Sequence, residues 1–150
     1  MSLFESMQVS VSGLSAQRVR MDVIASNIAN VDTLETEDGG PYVRKRVRFE
    51  TTNPDTGDVV RVSAFDDVLA QRAVGNGVRV SSIEEDDAAL ELVYEPDNPN
   101  ADAEGFVLRP DIDVVTEMTD MLSATRAYEA NITVLNALKS MAMQALDIAR

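Results

Sequence analysis

The sequence predicts a mainly α fold with a β-rich insert: long N- and C-terminal helices pairing as a coiled coil, and a small β-hairpin/strand region between them. Three observations predict it. The last forty residues contain no Gly or Pro and are rich in Ala, Leu and Met, all strong helix formers. Residues 3–29 repeat the same seven-residue apolar spacing. The stretch between alternates apolar with charged residues and is cut by Gly- and Pro-containing turns. The expected division is 1–31, N-terminal coiled-coil helix; 32–110, loop and β-rich insert; 111–150, C-terminal coiled-coil helix.

In the first helix the seam is Phe4, Met7, Val11, Leu14, Met21, Ala25 and Ile28, interrupted by Arg18. Ser6, Gln8, Ser10, Gln17, Arg20 and Asp22 make the other side polar, so the helix reads as amphipathic. Gly13 inside it costs about 1 kcal/mol relative to Ala. Two readings stay open there: a tolerated defect, or close approach by another backbone. Asn27 and Asn30 mark the expected end, because Asn tolerates the left-handed conformation that closes helices.

Residues 37–41, Glu-Asp-Gly-Gly-Pro, are a loop by composition. Tyr42–Thr51 has strand character, with Val43, Lys45, Val47 and Phe49 on one face and Arg44, Arg46 and Arg48 on the other. Asn53–Gly57 has hairpin-loop chemistry, which makes Val59–Phe65 the expected returning strand. Residues 66–73 read as helical turn or loop. Gly75–Gly77 opens a strand over Val78–Ile83, and another is expected over Ala89–Tyr94. Pro96–Pro99 breaks the chain, and Gly105–Leu108 leads into the last helix.

The last helix is expected from about Asp111, capped by Asp111 or Asp113. Its seam runs through Val114, Met118, Met121, Thr125, Tyr128, Ile132, Leu135, Lys139, Ala142 and Leu146, eight of the ten apolar. At 1.5 Å per residue it would be roughly 55 Å long, too long for the core of a chain this size. A second apolar line (Val115, Leu122, Ala124, Val134, Leu138, Met141, Ala145) exceeds what one partner helix covers. Neither terminal helix can bury both its stripes on the other, so the leftover surface predicts assembly with further copies or relatives.

Composition narrows the chemistry. With no Cys and no His, disulfides, thiolate or imidazole metal sites and the Ser-His-Asp triad are all excluded. A net charge of −13 opposes general nucleic-acid binding. No run of eighteen apolar residues exists to span a membrane, and MSLFESMQVS lacks the basic start and apolar core of a secretory signal. Glu84–Asp87 reads as a solvated turn. Residues 98–109 fail as a calcium loop, having Ala103 where Gly is needed and Arg109 where a bidentate Glu is needed. Arg44, Arg46 and Arg48 read as a solvated or subunit-contacting face that could meet a neighbour's acidic surface; residues 84–120 carry thirteen acids and one Arg. Nothing marks an activated nucleophile. The expectation is no enzyme, no cofactor and no metal.

Several runs carry a family resemblance. Ala25-Ser26-Asn27-Ile28-Ala29-Asn30 resembles the Ala-Asn-Asn-Ile-Ala-Asn signature of flagellar rod and hook axial proteins. Leu92–Pro96, Asn98–Val107, Pro110–Val115, Ser123–Asn131 and Val134–Ser140 resemble the proximal rod proteins of the FlgC type within that family. Ser26 stands where the signature has Asn, and Asp111 where the family usually has Asn; residues 51–76 match least. The resemblance implies export unfolded through the flagellar type III apparatus, which would explain the missing signal peptide. It implies polymerisation into the periplasmic rod that carries torque from the MS ring toward the hook, with the terminal helices as the inner coiled-coil layer. The implied partners are copies of the chain, other rod proteins of the FlgB, FlgF, FlgG and FliE types, the export apparatus and, as a candidate, the MS ring. Two other classes stay alive: an acidic helical adaptor or export chaperone, whose stripes would close in a dimer, and an acidic-site hydrolase, which needs two converging carboxylates.

Overall fold

The computed structural model describes residues 3–37, 39–52, 77–86 and 90–148. The expected hairpin loop at 53–57, the strand at 59–65 and the 66–73 segment lie outside them. In chain order the elements are α1 (Leu3–Ala29), β1 (Lys45–Thr52), β2 (Gly77–Glu85), β3 (Leu90–Tyr94), β4 (Phe106–Pro110) and α2 (Val114–Ile148). Two long helices thus enclose two small antiparallel strand pairs, β1 with β2 and β3 with β4.

The helices pack antiparallel. Gly13 of α1 faces Asn131 of α2, and Asn27 reaches Glu117. A Cβ on Gly13 would lie 3.2 Å from the Asn131 amide, so this glycine marks a close approach of the second helix. The face used overlaps the one the apolar spacing suggests on α2 and differs from it on α1. A row at heptad spacing, Ser6, Ser10, Gly13, Gln17, Arg20, Ile24 and Asn27, is buried or half-buried throughout, and Gly13, Arg20 and Asn27 in it touch α2. On α2 the corresponding row is Glu117, Met121, Ala124, Tyr128, Asn131, Leu135, Leu138 and Ala142. Small residues let the axes approach, and polar ones then bond across the seam. Among the described residues one atom of it, Gln17 Oε1, is buried without a partner.

Helix ends follow their local chemistry. Asp113, rather than Asp111, caps α2: its carboxylate accepts the Val115 N–H at 3.0 Å and the Thr116 hydroxyl at 2.6 Å. At the end of α1 the Asn expectation is corrected. Among the described residues no non-glycine adopts positive φ. Asn30 instead closes the helix from its side chain, donating to Ser26 O at 2.9 Å, while Asn27 is inside the helix and buried.

Among the described residues the strand expectations hold in place, with the expected return strand of β1 outside them. β1 begins at Lys45, three residues later than Tyr42, and pairs in register with Gly77–Glu85. A bulge between Arg48 and Phe49 leaves Ser81 as the extra residue, and its hydroxyl donates to Arg48 O at 3.3 Å. β4 is a strand where a lead-in to α2 was expected, because Phe106–Pro110 matches Tyr94–Leu90 residue for residue. Ser12 fixes α1 to the first sheet by accepting the Val78 N–H at 3.0 Å. A Cβ on Gly77 would lie 2.8 Å from that hydroxyl.

Candidate assembly surface

Where the three segments meet, one amide uses its whole hydrogen-bonding capacity. Asn27 Nδ2 donates to Lys45 O at 2.9 Å and to Glu117 Oε2 at 3.2 Å. Asn27 Oδ1 accepts from Lys45 N at 2.9 Å and from the Tyr42 hydroxyl at 3.0 Å. Two donors and two acceptor positions are all an amide has. Glu117 is 1% exposed, and its other oxygen accepts both Nε (2.8 Å) and Nη2 of Arg44. The arrangement ties the end of α1, the strand entry and the first turn of α2 to one another. A buried pair of this kind adds little net stability over apolar packing, but removing one partner leaves a stranded charge. Its effect is to fix register.

A second polar group holds the β3–β4 end. Arg109 donates to Glu95 at 3.0 Å and to Asp32, in the loop after α1, at 2.9 Å. The Asn98 side chain, together with Arg109, holds the Glu95 carboxyl below its usual range. Asp102 Oδ1 accepts the N–H groups of Glu104 and Phe106, and Gly105 takes the positive φ (85°) that the turn requires.

The sequence-expected seams divide. On α1, Met7, Leu14, Met21 and Ile28 are half-buried, whereas Phe4 (76% exposed), Val11 and Ala25 are open. On α2, Val114, Met121, Tyr128, Leu135 and Ala142 are half-buried, whereas Met118, Ile132 and Leu146 (71%) are open. The two helices therefore turn small and polar side chains toward each other and many large apolar ones outward. The structure also separates the three strand arginines. Arg44 is spent on Glu117, while Arg46 pairs with Asp86 at 2.7 Å and Arg48 with Glu84 at 2.8 Å, both on the surface. Asn27 and Glu117 were not singled out as site residues from the sequence; the available signal was an acid at the helical spacing of an otherwise apolar row.

Among the described residues no group of three acids stands close enough to share a metal ion. No described helix is long and apolar enough to cross a membrane. What the geometry offers is surface for packing against other chains.

A helix pair with outward apolar stripes and a strand pair packed along one helix is the form of an assembly subunit. Comparison with known proteins gives the family. A family described as "Flagella basal body rod protein" matches residues 7–34, and one described as "Flagellar basal body rod FlgEFG protein C-terminal" matches 103–148. The flagellar basal-body rod protein FlgC of Bacillus subtilis (strain 168) is 44% identical over the whole length of both chains. Those of Borreliella burgdorferi and Salmonella typhimurium (strain LT2) are 47% and 42% identical, each match covering 99% of this chain and 98% of the relative. The chain belongs to the FlgC family of flagellar basal-body rod proteins.

Proposed function

We propose that this chain builds the proximal rod of the bacterial flagellum, packing through its terminal helices into the periplasmic shaft that transmits torque from the MS ring to the hook. The observation that carries the reading is the outward placement of large apolar side chains on both helices of a full-length rod relative. Such side chains gain about 25 cal/mol per Å² on leaving water, and copies or other rod proteins provide the surface that removes them. In this reading 1–31 and 111–150 form the coiled-coil inner layer and 32–110 the outer insert. Export through the type III apparatus, partners of the FlgB, FlgF, FlgG and FliE types, contact with the MS ring and the absence of catalysis belong to the same proposal. A closed dimeric chaperone is not favoured, since full-length relatives are rod proteins.

Two experiments test it. Ile132→Asp places an acid on the outward stripe, where burial among apolar side chains costs several kcal/mol. The expected outcome is a folded chain by circular dichroism and a non-motile strain without rods; a motile strain would remove Ile132 from the interface. Arg46 and Arg48 remain the subunit-contact candidates, because Arg44 is committed within the chain. Reversing both to Glu should spare the fold, exposed pairs being worth about 0–1 kcal/mol. Rod yield in purified basal bodies should fall, and normal rods would end the contact role.

A further inference from the structure

The cations left without an ion pair among the described residues are few and lie on the helices, whereas unpaired carboxylates are spread over α1, the strands and α2. Among the described residues every Lys and Arg sits at ion-pair distance from a carboxylate except Arg18, Arg126 and Lys139. All three exceptions are exposed on the helices. The turn between β3 and β4 is one of the acidic places: Asp97 and Glu104 are exposed there and, among the described residues, have no cation at ion-pair distance.

Arg126 and the two turn acids each border an apolar surface. On the strand pair, register puts Leu92 opposite Leu108 and Tyr94 opposite Phe106, on the face away from buried Val107. Leu92 and Tyr94 are more than 60% exposed, and the Tyr94 and Phe106 rings meet edge to face at 5.3 Å between centroids. The turn bonds of Asp102 and the Glu95–Arg109 pair hold this platform in shape before any partner arrives. On α2, Val115, Met118 and Leu122 form an exposed stripe that continues, at helical spacing, to Arg126. Beside the stripe lies a shallow cleft of about 500 Å³ floored by Met121 and Thr125.

We propose that the β3–β4 platform of one copy seats on the Val115–Arg126 stripe of a second copy. The order of chemistry matches on both sides: apolar against apolar, then Arg126 against Glu104 and Asp97 at the turn. Arg126 is also placed to lie over the Tyr94 ring, a geometry that favours a guanidinium. The acidic border excludes a phosphate-rich partner and requires a cation at one end of the apolar patch, which the stripe has. Because the two surfaces are different, the contact is head-to-tail, so each copy keeps one surface of each kind for the next neighbour. A closed dimer does not follow from it; an open array does. This deepens the rod reading and rests on it.

The chain has no cysteine, so introduced thiols report without background. Phe106→Cys and Leu122→Cys combined in one chain should give, on oxidation of isolated basal bodies, a ladder of disulfide-linked copies, while either substitution alone gives monomers. Basal bodies that contain the double variant only as monomer, as an internally bridged chain, or linked to a different protein overturn the docking and leave the rod reading intact. Absence of the wild-type chain from basal bodies overturns the rod reading itself. Should the double variant fail to enter, charge reversal decides. Arg126→Glu is expected to reduce the chain in basal bodies at least tenfold, and Asp97→Arg with Glu104→Arg in the same chain to restore it. Normal incorporation of Arg126→Glu, or no recovery with the compensating pair, overturns the contact.

Discussion

The two ends of the helix pair are built on opposite principles. Near the insert, Asn27, Tyr42, Arg44, Lys45 and Glu117 satisfy one another in a buried polar knot. At the other end the spacing of the Gly13–Asn131 and Asn27–Glu117 contacts puts Leu3 beside about residue 141. The last turns of α2 therefore run past the start of α1, and Phe4, Met143 and Leu146 face outward. Among the described residues one end is completed within the chain; at the other, Ser12 holds the start of α1 to β2 while Phe4, Met143 and Leu146 stay exposed. The difference is physical: the knot sets how the helices leave the insert, and the other end keeps large apolar side chains exposed.

The largest expected effect breaks the knot. Glu117→Ala strands the Arg44 charge and removes an acceptor from Asn27, a loss of about 3–5 kcal/mol for a buried pair with one partner missing. Leu146→Ala at the open end should change monomer stability by no more than about 0.5 kcal/mol, as for surface substitutions generally. Urea denaturation of the two variants measures the contrast, and equal midpoints would erase it. Amide exchange on the dilute monomer sharpens the same point. Protection should be highest at 20–29 and 114–124 and fall toward 3–10 and 140–148, since opening free energy follows local burial and bonding. Uniform protection along both helices would mean the open end is stabilised within the chain after all.

Much of this fold was legible because its signals are local. A forty-residue run without Gly or Pro and rich in strong helix formers signals a helix locally, Asp113 caps the residues beside it, and the Val47–Phe49 alternation needs only a sheet. The register of β1 with Gly77–Glu85 was not, because it joins segments separated by a long stretch of chain and no local signal sets it. The helix seam was legible in part: Met121, Tyr128, Leu135 and Ala142 lie in the observed row, while hydrophobic spacing puts Ser6, Ser10, Gln17 and Arg20 of α1 on a polar side although they are buried or half-buried. Small side chains permit close helix approach, and polar atoms are tolerated there once paired. Asn27 in isolation is a helix-terminating residue. It becomes a core residue only when Tyr42, Lys45 and Glu117 arrive from 15, 18 and 90 residues away.

The smallest expected effect concerns how α2 begins, beside the knot. Two hydrogen bonds, first from the Thr116 side chain and then from the Val115 backbone, hold the Asp113 carboxyl below its ordinary value of 3.8. A carboxyl with a folded value below its unfolded one binds its proton more weakly in the folded chain. Its stabilisation is therefore complete above the unfolded value and is lost as pH falls through the lower folded one. The cap should contribute fully at neutral pH and fade only in acid below about pH 4. Asp113→Ala should then lower the thermal midpoint at pH 7, and the gap from the unsubstituted chain should close on acidification. Asp113→Asn keeps a capping oxygen without a titrating group, so it should retain most of the stability and remove this part of the pH dependence. A constant gap between Asp113→Ala and the parent chain from pH 7 to pH 3 would mean the carboxylate charge plays no part in starting α2.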